Sequence, residues 1–488
     1  MNKLMRIIAA VIALVMAAAA FAACATPDTP QQDTTVPSAN TTEAAPETEN
    51  PYDKDGYLKD KIPEDLKLNT TIRMLYWSDF EHVEFFVEQE TGEAVSDAIY
   101  TRNLTVNDRL GCDFDYVGTP GNYNKNADYL NFVKNAYNGG EHYDIYAAYS
   151  MTTANVAYNG YARNLTQYDI LDFSAPWWPE KLISEAAYKG KLYVASGDIS
   201  TNLLYMMYTF FFNTDMLKDN NLEIPYDLID RNEWTFDKLI EMTSVMGTPD
   251  AAQPYYGLVL TSNIHIDAFS WAAGLRVLDR SATGDIVISD TFTGEKMEDV
   301  ASWTQSFLHQ PMNKSKDSTK FEEGAALFTV ERARYANRKL STVDFDYGIC
   351  PMPKWNADQE KYVTCMAFPF TLYAISTTSE HPEAVAAALE CMASESYRKV
   401  TPALFELTMK YKYSKESKAA EMFDIIRETV VFDIGRLFCS NLDNISYSLF
   451  RNTCDGDTYA SILKRYKGFK TAFEDNVTAL NTVLDGLE

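Results

Sequence analysis

Thr71-Ile72-Arg73-Met74-Leu75-Tyr76-Trp77 is the stretch that decides the fold class. β-Branched and aromatic side chains crowd it, and these fit a pleated, half-buried surface, so it predicts a strand. Val95, Ile99, Val106 and Leu110 then recur at helical spacing up to Gly111, a residue suited to the left-handed turn that closes a helix. Cys112, Phe114 and Tyr116 alternate with Asp113 and Asp115 as a half-buried strand, and Tyr143–Tyr149 predicts another after a second helical segment. Strand, helix, strand, helix needs crossover connections, which implies a mainly parallel α/β sheet. The same grammar resumes at Thr235, a cap for a helix carrying Phe236, Leu239, Ile240 and Met246, and at Pro382, suited to the first turn of a helix striped by Val385, Leu389 and Met392. Two such units without a Pro/Gly-rich linker suggest lobes that exchange strands.

Around this frame, 488 residues with 69 Asp+Glu against 43 Lys+Arg give a formal net charge of −26. The length supports two or three packed domains. No basic stripe interrupts the acidity, so no nucleic-acid partner is expected. Lys3 and Arg6 precede an apolar run from Ile7 to Ala23, shorter than the roughly 20 residues that cross a bilayer, and residues 1–23 read as a secretory signal. Phe21-Ala22-Ala23-Cys24 resembles the lipobox of bacterial lipoproteins, with Phe21 where leucine is commoner, and implies a lipid anchor on Cys24. From Ala25 to about Asp55, Thr, Pro, Ala, Asp, Glu, Asn and Gln dominate, so residues 24–65 read as the lipidated cysteine followed by a disordered acidic tether.

Six further cysteines, Cys112, Cys350, Cys365, Cys391, Cys439 and Cys454, permit up to three bridges in an exported chain. Spacing alone does not pair them, a Cys350–Cys365 bridge being one option. No C-x-x-C spacing occurs, and the five histidines, His82, His142, His265, His309 and His381, share no ligand spacing, so neither metal nor cofactor is expected. No phosphate loop, H-E-x-x-H or G-x-S-x-G marks a catalytic centre.

Seven phrases in order carry a resemblance: Gly190-Lys191-Leu192-Tyr193-Val194-Ala195, Phe211-Phe212-Asn213-Thr214-Asp215-Met216-Leu217, Asn221-Leu222-Glu223-Ile224-Pro225, Glu233-Trp234-Thr235-Phe236-Asp237-Lys238-Leu239, Gly324-Ala325-Ala326-Leu327-Phe328, Phe345 to Pro353, and Ala374-Ile375-Ser376 with Pro382-Glu383-Ala384. The chain resembles the extracellular solute-binding proteins of ATP-driven (ABC) importers, in particular the maltose- and oligosaccharide-binding group. One departure is Thr329 to Tyr335, where that group often carries a glycine and a sugar-stacking tryptophan; here a charged pair and a tyrosine stand instead. The resemblance implies a two-lobed periplasmic-binding-protein-like (type II) fold, hinged, with an interlobe cleft. Lobe 1 is expected over 66–200 plus 366–430, lobe 2 over 201–365 plus 431–488, with crossings near Asp198–Tyr205, Cys365–Phe368 and Val430–Gly435.

Ligands in open α/β sheets sit beyond the carboxyl ends of strands. Sugars need aromatic platforms for their C–H faces and planar groups for their hydroxyls. Trp77 and Asp79, Tyr149, and Asp198 follow predicted strands and meet that need. Trp177 and Trp178, held between Pro176 and Pro179, are a candidate cleft pair; Glu331, with Arg334 beside it, is a hydrogen-bonding candidate, and Trp271 resembles the family region that supplies an aromatic platform. The expected function is that of a monomeric, lipid-anchored receptor, no enzyme, on the outer face of the cell membrane. It captures a carbohydrate, most simply an oligosaccharide, for the importer's membrane subunits. A receptor for peptides or other polar solutes, a secreted glycoside hydrolase and a surface adhesin are the alternatives.

Overall fold

A computed structural model describes residues 50–488 except 81, 251, 253, 318, 406–416 and 488. The expected signal segment 1–23 and the expected lipidation site Cys24 lie outside the described residues. The strands, in chain order, are β1 (Thr71–Trp77), β2 (Asp113–Thr119), β3 (Ile145–Tyr149), β4 (Tyr208–Asn213), β5 (Tyr256–Leu260), β6 (Leu278–Arg280), β7 (Ile286–Ile288), β8 (Asn313–Ser315), β9 (Ala326–Arg332), β10 (Tyr347–Cys350), β11 (Thr364–Cys365), β12 (Thr371–Ile375) and β13 (Val430–Val431).

Two sheets organise the fold. The first has the order β12-β3-β1-β2 and the second β10-β4-β9-β5-β8. Helix Ala94–Leu110 joins β1 to β2, which pair parallel from Thr71 with Asp113 to Trp77 with Thr119. Glu93 caps that helix and Gly111 closes it at φ 57°. The sheets are mixed rather than mainly parallel: β12 runs antiparallel to β3, and β4 antiparallel to both β9 and β10. The reason is topological, because β4 and β12 are entered by chain arriving from the other sheet and not through a crossover helix. In β4, Phe210, Phe211 and Phe212 are all buried, Phe210 against Trp234 and Phe328, Phe211 against Tyr335 and Phe212 against Tyr226. Burying each contributes about 2–3 kcal/mol and makes this strand the apolar spine of its lobe.

The passages between lobes run side by side. Met207 bridges Met366, and β11 pairs with β13. A Cβ at Gly197 would fall 2.0 Å from the Trp177 carbonyl oxygen, so the approach to the first passage requires glycine. Helix Ser417–Glu428 packs on β10 of the second sheet, and Lys418 pairs with Asp230, so a first-lobe boundary at residue 430 falls too late in the chain. The tether boundary also moves, since residues 52–65 are bound to the folded body. Asp60 bonds Arg109 at 2.8 Å, Arg398 at 3.1 Å and Ser394 at 2.7 Å, and Ile62 is buried. Burial alone would raise the Asp60 pKa; its arginines and Ser394 hold it at about 2. All six cysteines among the described residues are buried thiols, so Cys350 and Cys365 are not bridged.

Candidate ligand-binding site

The carboxyl end of β1 puts Trp77 under a loop that carries Asp79 and Phe80. The Trp77 indole is 1% exposed, donates its Nε1–H to Thr371 Oγ1 at 3.0 Å and meets Tyr149 edge-on at 5.6 Å. Phe80 lies flat on it, centroids 4.8 Å apart at 7°. Trp77 is thus the buried base of a stack, and half-buried Phe80 is its outer ring. Exposed Asp79 accepts from the amides of Gly121 (3.0 Å) and Asn122 (3.3 Å), which fixes the neighbouring loop. At the end of β3, Tyr149 leads straight into helix Ser150–Tyr158.

The second lobe meets this edge with β9. Glu331 sits with His265 Nε2 2.6 Å away and Arg332 Nε at 3.2 Å. Burial pushes its carboxyl up, but His265 and Arg332 outweigh it and hold the pKa at about 2. Arg334 reaches over the Phe80 ring, 4.8 Å from its centroid. Helix Asp267–Ala272 contributes Asp267, whose buried carboxylate takes Arg436 at 3.2 Å and Arg451 at 2.6 Å. The Arg436 guanidinium lies 3.8 Å from the Phe368 centroid and 5.7 Å from that of Trp271; Arg451 lies 4.3 Å from that of Tyr447. Tyr447 and Tyr123 share a 2.9 Å hydroxyl bond, and Asn441 donates to Asn155 at 3.1 Å, so the lobes touch along this edge.

Of the expected site residues, Trp77 and Tyr149 touch each other, and Glu331 lies on β9, whose continuation at Arg334 reaches the Phe80 stacked on Trp77. Asp79 instead holds the Gly121 loop, Trp271 lies beside Arg436, and three candidates lie elsewhere. The Trp177 and Trp178 indoles both donate to Glu390, at 3.0 and 2.8 Å, and are buried as anchors for helix Pro382–Glu395. Asp198 lies in the first passage and lines a different cavity of about 450 Å³ with Leu203, Met207, Met366 and Arg427. Its burial, partly offset by Arg427 and Thr401, raises its pKa to about 7. Phe80, His265, Asp267, Arg332, Arg436, Tyr447 and Arg451 were not singled out from sequence. For Arg332 the two-residue alternation running off β9 through Arg334 is the available signal; the others meet only through distant pairing.

One buried group links this edge to the passages. Glu84, on the turn His82–Glu84 shortly after Phe80, accepts from Ser200 Oγ (2.8 Å), Thr201 Oγ1 (3.2 Å), the Asn202 amide (2.8 Å) and Thr371 Oγ1. It thereby ties the loop bearing Phe80 to the first passage and to β12. Among the described residues no group of side chains is arranged to hold a metal ion.

The family model for bacterial extracellular solute-binding proteins matches residues 111–399. The chain belongs to that family. A galacto-N-biose/lacto-N-biose I-binding protein of an ABC transporter from Bifidobacterium longum, in complex with lacto-N-biose, aligns with this solute-binding protein at TM-score 0.58 and 13% identity, covering 84% of this chain and 97% of that one. UgpB from Mycobacterium tuberculosis, in complex with glycerophosphocholine, gives 0.58 and 14%, covering 83% and 98%. The cyclic alpha-maltosyl-1,6-maltose binding protein of Arthrobacter globiformis gives 0.56 and 13%, covering 85% and 98%. At these identities the likeness speaks to the fold, which for this solute-binding protein is two-lobed and type II periplasmic-binding-protein-like. A comparison with curated proteins returns no match.

Proposed function

We propose that this solute-binding protein captures an oligosaccharide between its lobes and delivers it, unaltered, to the membrane subunits of an ABC importer, held to the outer face of the membrane by acylated Cys24. The observation that carries this reading is the meeting of Phe80 on its Trp77 base with Arg334 and the Asp267 and Glu331 clusters across the interlobe edge. Flat rings suit the C–H faces of pyranoses, and fixed charged forks suit their hydroxyls. Closure follows from a ligand touching both lobes, since such a ligand binds the shut form better and shifts the equilibrium toward it. Two of the structural neighbours named above are saccharide-binding proteins, one in complex with lacto-N-biose and one for cyclic alpha-maltosyl-1,6-maltose, which supports a carbohydrate over a peptide.

A thermal-shift screen with oligosaccharides tests this. A ligand at 100 times its dissociation constant adds about 2.7 kcal/mol of stability. Stoichiometric binding with the sugar recovered intact is the expected result. Shortened products in the same incubation would contradict it, and so would a panel without any shift.

A further inference from the structure

Resting on the anchor proposed at Cys24, the C-terminal helix offers a surface to the membrane itself. Against the expectation that no basic stripe interrupts the acidity, residues 458–473 hold Lys464, Arg465, Lys467 and Lys470 and no acid, in a chain with 69 Asp+Glu against 43 Lys+Arg. They fall on the first turns of helix Ile462–Gly486, whose Ile462, Tyr466 and Phe473 are buried, so the four cations lie on the outward side and are exposed. Phe469 stands among them at 47% exposure, the one exposed phenylalanine among the described residues. Lys464 and Lys467 pair with no acid among the described residues; Lys470 has only the exposed Glu474 at 3.7 Å, and Arg465 donates to Thr453 at 3.3 Å. An ion pair between exposed groups contributes little. Glu298, the acid at the helix start, is already held by Ser461 Oγ and the Leu463 amide. Cations around an exposed ring are the pattern by which a helix lies on an anionic interface, the ring entering the headgroup boundary and the long side chains reaching the phosphates.

We propose that this face of the C-terminal helix docks on anionic lipid headgroups of the membrane that holds the anchor, and so sets which way the ligand cleft points. The expected tether, residues 25–49, is short. A coil of that many residues spans about 25–30 Å, against a radius of gyration of about 22 Å for a folded body of the described size. An anchored body therefore stays close enough for one face to rest on the surface. The net charge of −26 does not forbid this, because at physiological ionic strength charges farther than about 8 Å are largely screened, and the headgroups meet the local face rather than the whole chain.

The test puts an environment-sensitive fluorophore on Ala472→Cys, an exposed position one turn from Phe469; the six cysteines among the described residues are buried, so the new thiol takes the label. The full-length protein, purified from membranes, is placed in vesicles of phosphatidylcholine alone or with about 30% phosphatidylglycerol, at 20 and 300 mM NaCl. Emission is expected to rise about twofold or more on the anionic vesicles and to fall back at the higher salt and in a Lys464→Glu, Lys467→Glu variant. The same label on Val245→Cys, exposed elsewhere on the body, should not respond. Equal emission on both kinds of vesicle overturns this inference and leaves the anchor standing. A rise that needs importer subunits in the vesicle assigns the face to a protein and overturns it as well. Protein that stays with neither vesicle overturns both the anchor and this inference. The lipid and salt comparisons without the charge reversals decide the matter even where the double variant folds poorly.

Discussion

Arg334, two residues beyond β9, lies with its guanidinium 4.8 Å from the centroid of Phe80, three residues beyond β1. One residue comes from each lobe, so the contact exists only while the lobes are together. Beneath it, Phe80 rests on Trp77, which is bonded to Thr371 on β12. The stack therefore runs from a rigid sheet outward to the opposite lobe.

Phe80→Ala should separate binding from stability. Removing the outer ring is expected to weaken saccharide affinity about tenfold, equivalent to about 1.4 kcal/mol, with little change in melting temperature. Trp77→Ala deletes the buried base and should cost about 3–5 kcal/mol of stability. Calorimetry and thermal denaturation of the two variants check the contrast; equal loss of stability would place Phe80 in the core.

Glu84→Ala removes one acceptor from four donors spread over the first passage and β12. Buried donors left without partners cost about 1–3 kcal/mol each at the outset, so a large fall in melting temperature is expected. Glu84→Gln, which keeps one acceptor oxygen, should recover part of it. Hydrogen exchange at residues 200–202 is the direct reading, and unchanged protection there in the alanine variant would contradict the tie.

The pH dependence of stability follows from groups displaced in opposite directions. Burial, opposed by weaker stabilising contacts, raises Asp198 and Glu390 to about 7 and Asp433 to about 6, so the folded state holds protons that the unfolded chain has released. Their contribution is full below the ordinary carboxylate range and is lost as pH rises toward 7. Asp60 and Glu331, held at about 2, act oppositely, and their contribution is lost as pH falls from the ordinary range toward 2. Stability should peak at about pH 4–5 and decline toward pH 8. Asp198 Oδ2 has no hydrogen-bond partner among the described residues, so Asp198→Asn should raise stability at pH 8 by about 2–4 kcal/mol and flatten the decline. Melting curves from pH 3 to 8 on both proteins check this.

Cys24→Ala should release the protein into the medium instead of leaving it in the membrane fraction, since the proposed anchor depends on acylation of that one thiol. Fractionation of expressing cells with radiolabelled palmitate reads this directly; continued membrane retention and labelling would contradict the anchor.

Local signals made much of the fold legible. The helix from Ala94 to Leu110 stops at Gly111 where periodicity ends, and Thr235 caps its helix through the Lys238 amide. The antiparallel partners of β4 and β12 were hidden because their neighbours are set by passages between lobes. Of the proposed site, Trp77 and Tyr149 were singled out because they lie at the ends of predicted strands, and Glu331 because it is a charged group able to hydrogen-bond. Trp177 and Trp178 looked like the same kind of residue, yet their acceptor, Glu390, lies more than 200 residues along. The Asp267 cluster was illegible for the same reason, with Arg436 and Arg451 169 and 184 residues away.

Gripping by two lobes is tested most directly by small-angle X-ray scattering on the protein before and after saturation with a saccharide that binds it. A smaller radius of gyration is expected in the saturated sample, and no such decrease for a Phe80→Ala, Arg334→Ala double variant at the same ligand concentration. An unchanged radius at proven saturation of the unaltered protein would contradict it.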